Sequence, residues 1–237
     1  DDGIQHSIWI VNDDETIKSI SEIFKKQVPH TYIADGHHRA ASAAKVKQAL
    51  GKEATAGSFH FLTTLFPASE LQILDYNRVV KDLNGLSAAD LLERIAADFD
   101  VTLHGADAFK PQHPHEFGMY LEGKWYQLTA KEGTYSTDPI GVLDVTILSN
   151  NLLDKHLGIK DQRTDKRIDF VGGIRGLKEL QKRVDSGDMK VALSLYPVTM
   201  DKLFDIADRG NVMQTKSTWF EPKLRDGLVT HLIYEES

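Results

Sequence analysis

The stretch TYIADGHHRAASAAKVKQALG, residues 31–51, contains the clearest structural signal in the chain. A short apolar run, residues 32–34, stops at Asp35 and Gly36, and an alanine-rich segment follows. This pattern predicts a strand that turns sharply into a helix ending at Gly51. Gly36 permits the tight turn and a close approach by a ligand.

The polar residues in this junction are suited to holding an anion. Backbone N–H groups in the first turn of a helix have no partner inside the helix, and the helix dipole adds partial positive charge there. The guanidinium of Arg39 can bind an oxyanion through two hydrogen bonds. The junction therefore favours an anion, most plausibly a phosphate. The alternative is structural: Asp35 caps the helix, and His37 and His38 are solvated.

Composition limits the classes of protein to consider. The chain has 237 residues with 41% hydrophobic content, enough for one large domain or two small ones. Its net charge of −7 argues against a nucleic-acid backbone as the main partner. No apolar run approaches the roughly 20 residues that span a bilayer. The absence of cysteine excludes disulfides and cysteine nucleophiles and fits a reducing cytoplasm. We therefore expect a cytoplasmic protein that binds neither membranes nor nucleic acid.

Strands and helices alternate in the predicted secondary structure. Strands are predicted where β-branched and aromatic residues cluster: residues 7–11, 32–34, 58–66, 71–76, 101–103, 117–121, 124–129, 167–171 and 190–196. Helices are predicted where apolar residues recur at helical spacing: residues 13–28, 37–50, 87–99, 143–153, 174–184 and 198–209. The last two strands and helices form a βαβα unit, which predicts a right-handed crossover between a parallel pair of strands.

A second polar segment lies near the end of the chain, at residues 213–228 (MQTKSTWFEPKLRDGL). It has no regular periodicity, and Lys216, Ser217 and Thr218 precede two aromatic residues. Lysine and hydroxyl groups beside buried aromatic rings can line a pocket and hold an anion. The alternative is a loop that its aromatic residues hold in place.

Five stretches occur in the order expected of a known family: HSIW, YIADGHHRAASAA, NRVVKDLNGLS, LDVTIL and MQTKSTWFEPKLRDGL. On these stretches the chain resembles the conserved bacterial and archaeal proteins called domain of unknown function 1015, over nearly its whole length. Members of that family are longer at the N-terminus, which implies that this chain is the later part of a longer protein. Ala40 replaces a common tyrosine and Gln214 a common proline, and these departures bear on substrate preference.

The DGHHR junction also resembles the phosphate-binding turn of the ParB/sulfiredoxin-like superfamily, which includes free-serine kinases, chromosome-partition CTPases and sulfiredoxins. Sulfiredoxin chemistry needs a cysteine in the turn, and the partition proteins carry a DNA-binding helical domain; the sequence shows neither. The kinase branch is therefore the nearest analogue. The resemblance implies an α/β (mixed α+β) fold, with a ParB/sulfiredoxin-like phosphate-binding core at residues 1–104. A smaller α/β region at residues 105–237 would close the site.

This resemblance implies a nucleotide-dependent phosphotransferase, similar to a serine kinase, that acts on the hydroxyl group of a small molecule. The expected catalytic residues are Asp35, His37 and His38, and Asp35 is also expected to hold Mg²⁺. The expected sites for the phosphates of ADP or ATP are Gly36, His37, His38, Arg39, Lys216, Ser217 and Thr218.

Two alternatives stay open. A non-catalytic regulatory protein could bind a nucleotide or a phosphometabolite at the same turn without any base. Metal-assisted hydrolysis could use a metal held by Asp35, His37 and His38. Adjacent histidines point in different directions on a helix, whereas zinc ligands on a helix usually lie one turn apart, and this disfavours a zinc site.

Overall fold

The computed structural model describes residues 5–214 and 216–234. Its centre is a six-stranded sheet in which every neighbouring pair is antiparallel. The strands are β2 (Tyr76–Val80), β3 (Phe99–Gly105), β4 (Glu116–Leu121), β5 (Lys124–Ala130), β6 (Ile168–Gly172) and β7 (Val191–Leu195). Their spatial order is β3-β5-β4-β7-β2-β6.

A smaller sheet and the helices surround this centre. In the small sheet, β1 (Gln72–Leu74) pairs antiparallel with β8 (Trp219–Glu221). The helices are α1 (Asp14–Gln27), α2 (His37–Leu50), α3 (Ala88–Ile95), α4 (Asp144–Leu148), α5 (Leu177–Asp185) and α6 (Met200–Asp208). The predicted mixed α/β class is therefore confirmed. Among the described residues, no helix combines the length and apolar character needed to cross a membrane.

The central sheet buries side chains on both faces. On one face, Phe117 and Met119 of β4 belong to the large core that includes α3 and α4. On the other, Tyr120 of β4 packs in a smaller cluster with Trp125 and with Leu180 of α5. Successive side chains of a strand point to opposite faces, so the alternation along β4 accounts for the two clusters.

The central and C-terminal elements follow the sequence predictions closely. The predicted hairpin is β4 and β5, and the helix predicted at residues 143–153 is α4 continued by a π-helical turn, Ser149–Asp154. The elements of the predicted βαβα unit occur in order as β6, α5, β7 and α6. The sheet takes strands from both sides of residue 104, and the division into 1–104 and 105–237 stays a prediction.

The predicted pairing within the βαβα unit is wrong. Strand β2 lies between β6 and β7 and is antiparallel to both. The two strands therefore run parallel to each other without being neighbours. The crossover through α5 passes over β2, which lies about ninety residues earlier in the sequence than β6.

Three predicted strands, at residues 7–11, 32–34 and 58–66, are also wrong, because the chain is not a strand at these positions. Trp9 is 82% exposed and Ile10 is 86% exposed. A strand must pair its backbone N–H and C=O groups with a neighbour. An apolar, β-branched run supplies the propensity for a strand but does not supply that partner. The predicted helix over residues 37–50 is confirmed as α2.

Candidate functional site

The turn at residues 35–39 leads directly into α2. Gly36 is the N-cap residue, with φ +86° in the left-handed region, and no side chain accepts a hydrogen bond from the first turn of the helix. The Gly36 N–H donates instead to Asp35 Oδ1 of the preceding residue at 2.7 Å. Asp35 therefore does not cap α2, and the N–H groups of its first turn face outward without a partner in the helix.

The segment before the turn is fixed to the C-terminal half of the chain. The Tyr32 hydroxyl donates to Asp208 Oδ1 at 2.6 Å, and its ring lies 4.5 Å from that of Phe204 on α6. The hydrogen bond to Asp208 raises the pKa of the Tyr32 hydroxyl. These contacts hold the chain leading into the turn without the strand that the sequence predicts.

Asp35 is paired with the C-terminal polar segment. Lys223 Nζ lies 3.1 Å from Asp35 Oδ2, with both side chains about half exposed. Partial burial acts to raise the pKa of Asp35, but hydrogen bonds from Lys223 and the Gly36 N–H outweigh it, and the pKa lies below its usual range. Asp35 is therefore an ionised carboxylate at neutral pH. The pair connects the two polar segments that the sequence singles out.

The remaining side chains of the turn are open to solvent. His37, His38 and Arg39 are exposed. The Arg39 guanidinium folds back against Gly36, where an added Cβ atom would lie 3.0 Å from Arg39 Nε. Glycine at this position therefore provides both the left-handed backbone and the space for the guanidinium.

In the C-terminal segment, two lysines lie over two aromatic rings that touch. Lys223 Nζ lies 5.1 Å from the centroid of Trp219, and Lys216 Nζ lies 5.5 Å from that of Tyr76. The two rings meet edge to face at 5.4 Å. Cations over aromatic faces are attracted by the ring quadrupole. The fold thus connects Lys216 to the 35–39 turn through Tyr76, Trp219 and Lys223.

The hydroxyl residues beside Lys216 have different surroundings. Ser217 is buried, and its Oγ donates to the Gln214 carbonyl at 2.6 Å, so that this hydroxyl stabilises the loop. Thr218 is partly buried. The roles of Ser217 and Thr218 in anion binding stay predictions.

A buried arginine lies beneath this segment. Arg78 of β2 is 1% exposed, and its guanidinium donates to the carbonyl groups of Tyr76 and Lys216, the latter at 3.0 Å. Burial lowers the pKa of Arg78 to about 10. Within the described residues it has no carboxylate partner in an ion pair. A buried charge without an opposite charge is costly, and a nearby anion would reduce that cost.

Sequence reasoning missed Lys223 and Arg78 as site residues. Both belong to stretches on which the family resemblance rests, NRVVKDLNGLS and MQTKSTWFEPKLRDGL. The burial of Arg78 has no local signal, because it depends on the pairing of β2 with β6 and β7.

The turn offers a single carboxylate to a metal ion. Across residues 5–214 and 216–234, the structure contains no group of three or more His, Asp or Glu side chains that could hold one. The expected metal role of Asp35 is thus limited to one ligand.

A family comparison identifies the class of this mixed α/β chain. The chain belongs to the family described as protein of unknown function (DUF1015), whose profile matches residues 1–146. No curated protein matches the chain.

Three solved structures are similar to the chain. A mutant of free serine kinase in complex with AMP has a TM-score of 0.47 at 14% identity, over 87% of this chain and 79% of that chain. Free serine kinase in complex with AMP has a TM-score of 0.44 at 14% identity, over 90% and 81%. A conserved hypothetical protein from Pyrococcus furiosus has a TM-score of 0.46 at 18% identity, over 87% and 82%. Similarities of this strength carry no information about activity.

Proposed function

We propose that the chain binds the phosphates of a nucleotide at the 35–39 turn and transfers a phosphoryl group to the hydroxyl of a small molecule. The observation that carries the proposal is the ion pair between Lys223 and Asp35, which brings the C-terminal lysines to an uncapped helix N-terminus. Phosphoryl transfer requires mainly positioning and neutralisation of negative charge. This region supplies groups for both.

The binding groups come from the backbone and from three cations. The N–H groups of His37 and His38 point out of the first turn of α2 and would donate to phosphate oxygens. The Arg39 guanidinium lies against the same turn and is exposed. Lys223 would exchange the Asp35 carboxylate for a phosphate, and Lys216 would extend the cationic region along the Tyr76 and Trp219 rings.

The nucleotide is ADP or ATP in this proposal, and Mg²⁺ would accompany it. Mg²⁺ commonly takes one or two carboxylates together with substrate phosphates and waters. Asp35 supplies one such carboxylate, so the phosphates and waters would provide most of the ligands. When bound, the ion would neutralise phosphate charge.

The transfer step needs a proton acceptor as well as charge neutralisation. The acceptor hydroxyl oxygen forms a bond to the terminal phosphorus, the bond from that phosphorus to the nucleotide oxygen breaks, and the hydroxyl proton leaves. Asp35 has a lowered pKa, which suits it to holding charge in place and not to taking up a proton. The imidazole of His37 or His38 is the proposed proton acceptor.

Binding is tested by thermal shift with ADP, ATP, CTP and GTP in the presence of Mg²⁺. A ligand that binds only the folded state raises the melting temperature by mass action. We expect a rise with one of these nucleotides for the wild type and for Lys45→Ala, which removes an exposed cation on the same helix. Arg39→Ala and Lys223→Ala should lose most of the rise. An equal rise in all four proteins would contradict binding at the turn.

Turnover is tested separately. Serine is the first acceptor because the DGHHR turn resembles the phosphate-binding turn of free-serine kinases. Phosphoserine formed from the nucleotide that binds would be measured by ³¹P NMR. We expect His37→Ala or His38→Ala to lower the rate by about 10²-fold or more while nucleotide binding persists. Nucleotide binding without turnover of any small hydroxyl compound would instead support the alternative of a non-catalytic regulatory protein. The pairing of Asp35 with Lys223 and its ionised state also favour this alternative.

A further inference from the structure

A cavity lies between the loop before β4, the start of α4 and the segment that joins β7 to α6. Its volume is about 420 Å³. Val142, Leu143, Pro197 and Val198 supply apolar walls, and Asp144 and Lys202 supply opposite charges. No residue of the 35–39 turn lines it.

Asp144 is a buried carboxyl group with one oxygen unused. It is 7% exposed, and its Oδ1 accepts the His115 N–H at 2.8 Å. Its Oδ2 is buried and has no hydrogen-bond partner in the described part of the chain. Burial raises the pKa of Asp144 to about 7. The hydrogen bond from the His115 N–H acts to lower this pKa, and the negative charge of Glu116 acts to raise it. A buried polar oxygen without a partner costs free energy that a donor would recover.

The neighbouring imidazole cannot be that donor. His115 Nε2 lies 3.2 Å from the Val142 carbonyl, which can only accept, so Nε2 carries the proton. The other ring nitrogen, Nδ1, then accepts from the Tyr135 hydroxyl at 3.1 Å. Both ring nitrogens are therefore occupied, and the His115 backbone is held at φ +69°. No described donor therefore reaches Oδ2 of Asp144, and Asp144 is one of the residues that line the cavity.

Lys202 provides the opposite charge at this site. It lies in the first turn of α6, where the Thr199 side chain caps the helix by accepting the Lys202 N–H. The Lys202 side chain is exposed and forms no ion pair within the ranges that the structure describes. A carboxylate placed here would meet both the ammonium group and the positive end of a nine-residue helix.

We propose that this cavity binds a free α-amino acid with an apolar side chain. The ammonium group of the ligand pairs with the Asp144 carboxylate, the carboxylate of the ligand lies against Lys202, and the side chain packs on Val142, Leu143 and Val198. The residues that line this cavity include none of those proposed to bind the nucleotide.

Three matched probes separate the contributions of the ligand groups. Phenylalanine carries both charges, 2-phenylethylamine lacks the carboxylate, and 3-phenylpropionate lacks the ammonium group. Binding would be measured by NMR titration of the ¹⁵N-labelled protein, following the amides of residues 142–144, 196 and 198–202. We expect phenylalanine to bind most tightly, 2-phenylethylamine more weakly, and 3-phenylpropionate not to bind.

Variants assign each charge to its partner. Asp144→Asn keeps an acceptor for the His115 N–H and should weaken both amine ligands by about tenfold or more. Lys202→Gln should weaken phenylalanine alone and leave 2-phenylethylamine unchanged. Asp138→Asn, which changes a carboxylate in the nearby loop outside the cavity, should have no effect.

Binding of the amine should also depend on pH, because only ionised Asp144 pairs with an ammonium group. The titratable and charged groups around Asp144 are His115, Glu116, Tyr196 and Lys202, with Tyr135 behind the imidazole. Affinity for 2-phenylethylamine should rise as the pH increases through about 7 and level off above it. Three results would overturn the proposal: 3-phenylpropionate binding as tightly as phenylalanine, unchanged binding to Asp144→Asn, or no binding of any probe at millimolar concentration.

Discussion

Residues 5–70 and residues 72–208 contain similar apolar runs but bury them very differently. In the second region, Phe117, Trp125 and Leu148 are fully buried around the six-stranded sheet. In the first region, neither α1 nor α2 has a buried residue, and Ile17 and Ile20 of α1 are each 44% exposed. The comparison shows that apolar content does not by itself make a core. Burial requires a partner surface, and in the described part of the chain the six-stranded sheet provides most of it.

The largest effect expected from this comparison is a difference between two phenylalanine truncations. Phe117→Ala removes a ring that packs edge to face on Phe99 and should lower the free energy of unfolding by about 3–5 kcal/mol. Phe61→Ala, at a side chain that is 53% exposed, should change it by less than about 0.5 kcal/mol. Urea denaturation followed by circular dichroism measures both. Equal losses would show that the two regions are packed alike.

The second effect concerns the pH dependence of the packed region. Folding raises the pKa of Asp144 from 3.8 to about 7, so the folded state holds a proton that the unfolded state releases between these values. The contribution of Asp144 to the free energy of unfolding is therefore largest at low pH, falls as the pH rises through this interval and is constant above it. In Asp144→Asn this decrease in the free energy of unfolding, on the order of a few kcal/mol, should be absent. The measurement is urea denaturation of the wild type and the variant at pH 5 and pH 8. An equal change in the free energy of unfolding of both proteins between the two pH values would contradict the prediction.

The third effect tests the connection between the sheet and the C-terminal segment. A Cβ atom added at Gly172 of β6 would lie 2.7 Å from the ring of Trp219, so Gly172→Ala forces the ring or the strand to move. We expect a loss of about 1–3 kcal/mol, together with a change in tryptophan fluorescence. Combining it with Trp219→Leu should recover part of the loss, because the two residues touch. A strictly additive double variant would show that the contact is not responsible.

The smallest effect is expected on the open side of the comparison. Ile20→Ser changes a half-exposed side chain of α1 and should alter the free energy of unfolding by less than about 0.5 kcal/mol. Thermal unfolding with circular dichroism is the measurement, and the helical signal at low temperature should be unchanged. A loss comparable to that of Phe117→Ala would place α1 in the core after all.

The sequence predicts the sheet region better than the N-terminal region for a physical reason. The hairpin of β4 and β5 has both strands and its Glu122-Gly123 turn within one short stretch, so local pattern and pairing agree. The runs at residues 7–11 and 58–66 carry the same apolar, β-branched signal, but no neighbouring strand accompanies it. Pairing partners distant in sequence leave no local trace, and for the same reason β2 between β6 and β7 was not predicted.

For the candidate site, the sequence predicts the turn and the polar C-terminal segment but not the contacts between them. Gly36 and the start of α2 follow from local chemistry, and the structure has both as predicted. The pairing of Lys223 with Asp35 spans 188 residues, and no local pattern encodes it. The unpartnered oxygen of Asp144 depends equally on where the loop before β4 packs.

The pairing of β1 with β8 has a consequence for how the protein is made. Strands β2 to β7 are all synthesised before residue 219, so the central sheet can form while the chain is still emerging from the ribosome. The small sheet and the Lys223–Asp35 pair must wait for the segment that follows. Cleavage by a protease just before β8 would leave all six strands of the central sheet in the chain but would remove Lys223, the partner of Asp35. Loss of the C-terminal segment is therefore expected to affect the proposed nucleotide site while the strands of the central sheet remain in the chain.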